Sequence, residues 1–251
     1  MLARLAVARH SMDIDLSADF DAAHAALHQL RLIADHDLHD HFTFVLAEPR
    51  ALVKGIEGVR VPVTAQLGPR MFERFSVDLV TGAQITATPE AARPLDLLGD
   101  LPGLVRPDYR LYPLVDTLAD KVLAITEQHG ERPSTRFRDL VDIMLILGSS
   151  AIDATALRRA LASEHRRRGR SVNASFAVPD ESLWRAGYAR TVADAPNVTE
   201  RTLDQALPLA KAFLDPILGG AVTCGRWNPA TKAWDLDDVV ANPAQPADMR
   251  E

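Results

Sequence analysis

The sequence predicts an α+β protein whose first part holds a mixed sheet and whose second part is helical. Three strand-like runs, separated by glycine-containing turns, lie between Phe42 and Val80. After Tyr112, apolar residues recur at the spacing of helices. The two patterns are separated by a stretch rich in proline and aspartate around residues 89–107. We therefore predict a core over residues 1–105 and a helical carboxy-terminal domain over residues 106–251.

The elements of the first part follow from local patterns. An alternating run predicts a strand at Asp13–Leu16, with Ile14 and Leu16 anchored in the core. Apolar residues at helical spacing predict a helix from Ala18 to Ala34. Runs of β-branched and aromatic residues predict strands over Phe42–Leu46, Val59–Leu67 and Phe72–Val80, with a short fourth run at Ile85–Thr88.

The second part reads as a series of helices. Pro113 is suited to the first turn of a helix that runs to about His129. Thr135 is placed to cap a helix that Gly148 ends. Trp227 and Trp234 flank a turn and predict a small hairpin. Further helices are predicted over residues 153–168, 180–195 and 199–217.

The composition restricts the class of protein. Apolar residues make up 47% and charged residues 25% of the 251 residues, as in an ordinary globular protein. The single cysteine, Cys224, excludes an internal disulfide and favours a reducing compartment. No run approaches the roughly 20 apolar residues of a membrane span. A formal charge of −6 argues against a surface coated in positive charge. We expect a cytoplasmic protein with no membrane partner.

Two acids in the first predicted strand are the strongest chemical signal. Asp13 and Asp15 are two residues apart, so their side chains share one face, with Cα atoms roughly 6.5 Å apart. Two carboxylates at that distance suit Mg²⁺, which prefers oxygen ligands and substrate phosphates. The alternative is that each acid ends a strand or caps a turn. Two acids on one face repel each other unless a cation joins them, which favours the metal site.

Asp78 is a third acid on an aliphatic strand. If its strand lies beside the first, Asp78 completes a cluster with Asp13 and Asp15 that holds one or two Mg²⁺ ions. Such ions clamp a nucleoside triphosphate and neutralise charge as pyrophosphate leaves. A position at the sheet edge or in a turn is the alternative for Asp78.

Lys121 and two later acids form a second candidate set. Lys121 lies in an apolar helix, where its amino group can reach triphosphate oxygens as a point charge. Asp139 and Asp142 are three residues apart and share one helix face, so either can hold Lys121. Alternatively, Asp139 stabilises the positive end of its helix dipole, and Asp142 forms a surface pair with Arg138.

The ordered set of these residues resembles the AbiEii-type nucleotidyltransferase toxins, a family that includes the MenT-like toxins of mycobacteria. The match in order and spacing covers about residues 1–147. The resemblance implies a polymerase-β-like nucleotidyltransferase core with a mixed sheet, followed by a helical carboxy-terminal portion. It also implies that Asp13 and Asp15 bind metal, that Lys121 contacts the nucleotide, and that Asp139 or Asp142 is needed for activity. Arg9 and Ser11, four and two residues before Asp13, are further candidate nucleotide contacts.

The chain departs from the family pattern in one respect. Family members carry a Gly-Gly-Ser/Thr turn before the helix that leads into the paired acids, and its backbone N–H groups receive the triphosphate. Met1 lies inside the stretch that corresponds to that helix, so we expect the first strand and the glycine turn to be absent from this sequence. If the start lies upstream, the turn is restored; if the turn is lost, nucleotide binding and catalysis should weaken.

Three functions are compatible with these observations. The first is a Mg²⁺-dependent toxin that transfers a nucleoside monophosphate from an NTP to RNA. By resemblance, the acceptor is the tRNA 3′ end, translation is blocked, and a cognate antitoxin neutralises the protein. The second is a catalytically silent module that binds RNA or a protein. The third is transfer to a small molecule or a protein hydroxyl. A basic stretch from Arg158 to Arg170 is either an RNA-binding surface or a solvated helix end.

Overall fold

The computed structural model describes residues 13–18, 22–52, 57–93, 107–129, 132–169 and 173–236. Arg9, Ser11 and the predicted domain boundary between residues 105 and 106 lie outside the described residues. The chain divides into two compact units, Met1–Leu114 and Val115–Glu251. None of the helices in the described ranges has the length and hydropathy of a membrane-spanning segment.

The first unit is built on a mixed sheet. Its main strands run in the order β1-β5-β4-β2, with the short β3 also paired to β4. Strand β1 is parallel to β5, whereas β5, β4 and β2 are antiparallel to their neighbours. The predicted α+β class with a mixed sheet is thus confirmed. The elements are β1 (Asp13–Ala18), α1 (Ala23–Ala34), β2 (Phe42–Leu46), β3 (Arg50–Ala51), β4 (Gly58–Leu67), β5 (Arg70–Thr81), β6 (Glu90–Ala92) and β7 (Tyr109–Leu111).

The two faces of this sheet differ in chemistry. Alternate residues of β4 and β5 point to one face, where Val61, Val63 and Val77 form a buried cluster. Leu27 and Leu30 of α1 cover this cluster. Side chains alternate between faces along a strand, so the polar residues of the same strands lie on the opposite face. The face away from α1 therefore carries the acids.

The expectation that Ile14 and Leu16 are buried in the core is wrong. Ile14 is the register partner of Val77, so both residues lie on the α1 side of the sheet. Their side chains are nevertheless 46% and 39% exposed. Strand β1 is at the end of the strand order, whereas α1 packs over the cluster formed by β4 and β5. Sheet alternation predicts the correct face but not how far the covering helix reaches.

Two other predictions in this unit need correction. The helix begins at Ala23 rather than Ala18. The strand expected at Ile85–Thr88 does not form, and the short strand is β6, which pairs with β7. The strand propensity of Ile85 is not enough to form a strand there, because a β-strand needs a neighbouring strand to pair with. That partner, Tyr109–Leu111, is distant in sequence and supports only residues 90–92.

The second unit is mainly helical, as predicted. Its elements are α2 (Leu114–Thr126), β8 (Gln128–His129), β9 (Arg132–Pro133), α3 (Phe137–Ser149), β10 (Ile152–Asp153), α4 (Ala154–Arg167), α5 (Glu181–Val192), α6 (Leu203–Leu218), β11 (Arg226–Asn228) and β12 (Ala233–Asp235). The hairpin between the two tryptophans is confirmed, and β10 adds a third strand to it.

Helix ends account for the errors in this unit. Helix α2 ends at Thr126, and residues 128–129 instead pair with residues 132–133. Thr135 does not cap α3; the cap position is Arg136, which makes no side-chain cap bond. The hydroxyl of Ser134 accepts the backbone N–H of Arg136 at 3.3 Å. Thr135 contributes its carbonyl, which accepts the N–H of Phe137 at 2.8 Å.

Helix α3 is the centre of this unit. All residues from Leu140 to Leu147 are buried. The indole N–H of Trp227 donates to the carbonyl of Leu147 at 2.9 Å, and that of Trp184 donates to the carbonyl of Ser134 at 2.9 Å. Both buried indoles are thus satisfied, which avoids the cost of a buried donor without an acceptor.

Replacing Gly187 with alanine tests the packing of α5 against α3. A Cβ at Gly187 would lie 2.3–2.5 Å from ring carbons of Phe137. That ring also packs edge-on against Trp184, with centroids 5.0 Å apart. We expect Gly187→Ala to lower the free energy of unfolding by about 1–3 kcal/mol, the usual cost of overpacking. Urea denaturation measures this change.

Gly148→Ala is the matched control, because a Cβ at this helical position meets nothing within 4 Å. We expect it to stabilise the protein by about 0.5–1 kcal/mol. A Gly187→Ala variant as stable as Gly148→Ala would contradict the proposed close packing.

Candidate active site

Asp13, Asp15 and Asp78 lie on one face of the mixed sheet. In the parallel pair β1–β5, Asp13 is aligned with Ser76 and Asp15 with Asp78. Aligned residues on neighbouring strands have side chains on the same face, with strands about 4.8 Å apart. The sequence predicts that Asp78 lies near the paired acids if its strand is beside the first strand. The two strands are indeed neighbours. We call Asp13, Asp15, Ser76 and Asp78 the acid face.

Arg60 lies on the same side of the sheet as the acid face, and the sequence alone did not identify it. It lies on β4, aligned with Asp78. Its guanidinium binds Asp78 through two bonds, Nε to Oδ1 and Nη2 to Oδ2, each 2.6 Å long. These bonds to Asp78 raise the pKa of Arg60, and the negative charges of Asp13 and Asp15 raise it further. The alternation of polar residues along β4 indicates a polar face, but only the strand register brings Arg60 to Asp78.

The donor set of the acid face suits a hard divalent cation. Asp13 and Asp15 offer carboxylate oxygens on exposed positions of β1, and the hydroxyl of Ser76 lies beside Asp13. Oxygen ligands of this kind are those that Mg²⁺ prefers. Across the described parts of the chain, no group of three or more His, Cys, Asp or Glu side chains is arranged to hold a metal. A metal role for Asp13, Asp15 and Asp78 stays a prediction.

Lys121 forms a buried ionic cluster with Asp139 and Asp142. Its Nζ lies 2.9 Å from Oδ1 of Asp139 and 2.8 Å from Oδ2 of Asp142. The side chain of Lys121 is 16% exposed, and that of Asp142 is 1% exposed. Burial alone lowers the pKa of Lys121, but the two carboxylates outweigh it and raise the pKa above its ordinary value. The lysine is therefore a permanent cation that ties α2 to α3.

This geometry decides between the alternative roles that the sequence allowed for Asp139 and Asp142. Both acids hold Lys121, whereas the sequence left open which of them does. A surface pair between Arg138 and Asp142 is wrong, because Asp142 is buried and bonded to Lys121. Asp139 does lie in the first turn of α3, where a negative charge is favourable. Lys121, Asp139 and Asp142 belong to the second unit and the acid face to the first.

Comparison with known proteins identifies the family. The family model described as nucleotidyl transferase AbiEii toxin, Type IV TA system, matches residues 1–242. The chain belongs to this family. This AbiEii protein is therefore a nucleotidyltransferase. Nucleotidyltransferases of this kind generally use a divalent metal.

Solved structures include a similar chain. The nucleotidyltransferase toxin MenT4 from Mycobacterium tuberculosis H37Rv is 16% identical to the AbiEii protein, with a TM-score of 0.45. The match covers 80% of this chain and 74% of MenT4. No curated protein matches the sequence.

The basic stretch of the AbiEii protein has two parts with different environments. Arg168 binds Glu127 at 2.8 Å and Glu164 at 2.5 Å, and Arg167 binds Glu164 at 2.7 Å through Nε. Both arginines also lie 3.6 Å from a carboxylate oxygen of Asp120, and so join the end of α4 to α2. The remaining described arginines, Arg158, Arg159 and Arg166, are exposed on α4, while Arg170 lies outside the described residues.

The pH dependence of stability tests a cluster adjacent to Lys121. Burial, followed by the nearby Glu164 carboxylate, raises the pKa of Asp120 to about 7. Because this folded-state pKa is above the unfolded value, stability is lost as pH rises from about 4 through 7. The Asp120 side chain is 43% exposed, so solvent screening limits the effect to about 1 kcal/mol.

We expect Asp120→Asn to raise the melting temperature relative to wild type at pH 8 but not at pH 5. The substitution removes a carboxylate that must ionise near Glu164, whose own pKa is held at about 2, mainly by its arginine partners against the opposing effect of burial. Thermal unfolding at the two pH values measures this. An equal shift at both would show that the charge of Asp120 is not responsible.

Proposed function

We propose that this protein uses Mg²⁺ to transfer a nucleoside monophosphate from an NTP to the 3′ end of an RNA, with tRNA as the acceptor. The observation that carries this is the acid face, where Asp13 and Asp15 lie beside the Arg60–Asp78 pair on the face of the sheet away from α1. Membership of the AbiEii family supplies the reaction class. Because NTPs and tRNA are cytoplasmic, so is the proposed reaction.

The proposed role of each residue follows from its charge. Asp13 and Asp15 provide the oxygens that hold Mg²⁺. When bound, the ion neutralises phosphate charge and favours departure of pyrophosphate. We assign to Lys121 an electrostatic role towards the triphosphate, with Asp139 and Asp142 fixing its amino group. Arg9 and Ser11 remain candidate nucleotide contacts outside the described residues.

RNA as the acceptor is supported by charge on the surface of α4. Arg158, Arg159 and Arg166 are exposed, and no acid of the described chain is paired with them. Exposed arginines on one helix suit the phosphates of a nucleic acid. The family description places the protein in a toxin–antitoxin system, so we propose a cognate antitoxin as a further partner.

A label-transfer experiment tests the function. The purified protein is incubated with tRNA, Mg²⁺ and each of the four α-labelled NTPs, and labelled RNA is resolved on a denaturing gel. We expect label in tRNA from at least one NTP and none after addition of EDTA. Periodate-treated tRNA, whose terminal cis-diol is destroyed, is the control and should accept no label.

Other outcomes identify the alternatives. Label in protein or in small molecules, but not in RNA, would point to a different hydroxyl acceptor. Absence of label together with RNA binding would favour the catalytically silent module. Calorimetry with Mg²⁺ and each NTP separates that module from an active enzyme, because the module should show no metal-dependent nucleotide binding.

A further inference from the structure

We propose that Arg60 is a phosphate-binding residue of the nucleotide site and that Asp78 positions it instead of ligating the metal. The inference rests on the proposed function, since it assigns a nucleotide to the acid face. It differs from the sequence-based expectation, in which Asp78 is the third metal ligand.

The first argument is the state of the Asp78 carboxylate. Both of its oxygens accept a bond from Arg60 at 2.6 Å. The Asp78 side chain is only 14% exposed, so little of it is left open to another ligand. A bidentate pair with arginine is a charge-assisted interaction that uses both oxygens of the carboxylate. Metal binding at Asp78 would have to compete with a cation that is already in place.

The second argument is the unused bonding capacity of Arg60. A guanidinium has five N–H donors, and two of them bind Asp78. For the other three, no acceptor is found among the residues that the structure describes. The Arg60 side chain is 47% exposed, more than three times as much as that of Asp78. The unused donors are therefore accessible to a ligand.

The third argument is the position of Arg60 in the register. It is aligned with Asp78, which in turn is aligned with Asp15, so the three residues form one row across β4, β5 and β1. Arg60 therefore lies on the same face of the sheet as Asp13 and Asp15, the two acids that would hold the metal. An arginine fork matches phosphate geometry, and a carboxylate behind it fixes its direction. The row thus places a cation on the face that carries the proposed metal-binding acids.

The test separates metal binding from nucleotide binding. The variants are Arg60→Met, Asp78→Asn and the double variant, and each is measured in two assays. Electron paramagnetic resonance titration with Mn²⁺ alone reports the metal site. Calorimetry with a non-hydrolysable NTP analogue and Mg²⁺ reports the nucleotide site. Arg74→Met is the matched control, since Arg74 is an exposed arginine on the same face of β5, aligned with Thr64.

The expected pattern is specific. Arg60→Met and Asp78→Asn should each weaken analogue binding by about 10- to 100-fold, the range for a lost charged hydrogen bond. Both should keep the Mn²⁺ affinity of wild type within about twofold. The double variant should bind the analogue no more weakly than Arg60→Met, because Asp78 acts through Arg60. Arg74→Met should bind like wild type.

Three results would overturn the assignment. A loss of Mn²⁺ binding of about tenfold or more in Asp78→Asn would make Asp78 a metal ligand. Unchanged analogue binding in Arg60→Met would remove Arg60 from the nucleotide site while leaving the proposed function intact. A wild-type protein that binds neither probe would remove the proposed function and the role of Arg60 together. The double variant leaves no unpaired charge at this position, so it keeps the test valid if Arg60→Met alone unfolds.

Discussion

Asp15→Asn is expected to reduce nucleotidyl transfer by about a thousandfold or more while leaving the protein folded. The substitution removes one of the two carboxylates proposed to hold the metal, and a metal contributes several kcal/mol to charge stabilisation in the transition state, with each 1.4 kcal/mol worth a tenfold rate. Folding should not suffer, because Asp15 lies on an exposed edge strand beside Asp13 and Asp78. Removing one like charge relieves repulsion.

Single-turnover label transfer and thermal unfolding measure the two parts of this prediction. Glu73→Gln is the matched control, since it removes one negative charge from an exposed position of β5 and should keep the wild-type rate. If Asp15→Asn retains more than about a tenth of that rate, Asp15 does not hold a catalytic metal.

Lys121→Met is expected to lower the free energy of unfolding by about 3–5 kcal/mol, which is the cost of breaking a buried ion pair by removing one partner. Methionine preserves most of the side-chain volume, so the loss reports the charge. The amino group lies 2.9 Å and 2.8 Å from two carboxylates, and Asp142 is almost fully buried. A change of this size lowers the melting temperature by roughly 10 °C or more.

The sign of the pKa shift predicts the pH dependence of this loss. The pKa of Lys121 is raised in the folded state, so its contribution is fully present below the unfolded value near 10.4 and lost only above it. The difference between Lys121→Met and wild type should be constant from about pH 6 to about pH 9.

Two further variants isolate the ionic cluster. Adding Asp142→Asn to Lys121→Met should recover part of the lost stability, because it removes one buried charge. Lys211→Met removes a partly buried lysine of α6 and should change stability by about 0.5 kcal/mol or less. If Lys121→Met resembles Lys211→Met, the cluster does not stabilise the fold.

The sequence predicted the long periodic helices and strands, but not the residues at which several of the helices begin and end. The strand Phe42–Leu46 and the hairpin around Trp227 and Trp234 have the predicted positions, because their patterns and turns are local. Short elements such as β6 and β8 depend on a strand elsewhere in the chain. The exposure of Ile14 likewise depends on how far α1 extends over the sheet.

By itself, the sequence determined the residue types and their order: two acids at strand spacing, a lysine in an apolar helix, and two acids three residues apart. These patterns, with the resemblance they support, led to the correct family. Only the tertiary structure decided the partners. The register of β4 and β5 brings Arg60 to Asp78, and the packing of α2 on α3 buries Lys121 between Asp139 and Asp142. The physical reason is that contacts between distant segments follow from strand pairing and burial, which no local pattern encodes.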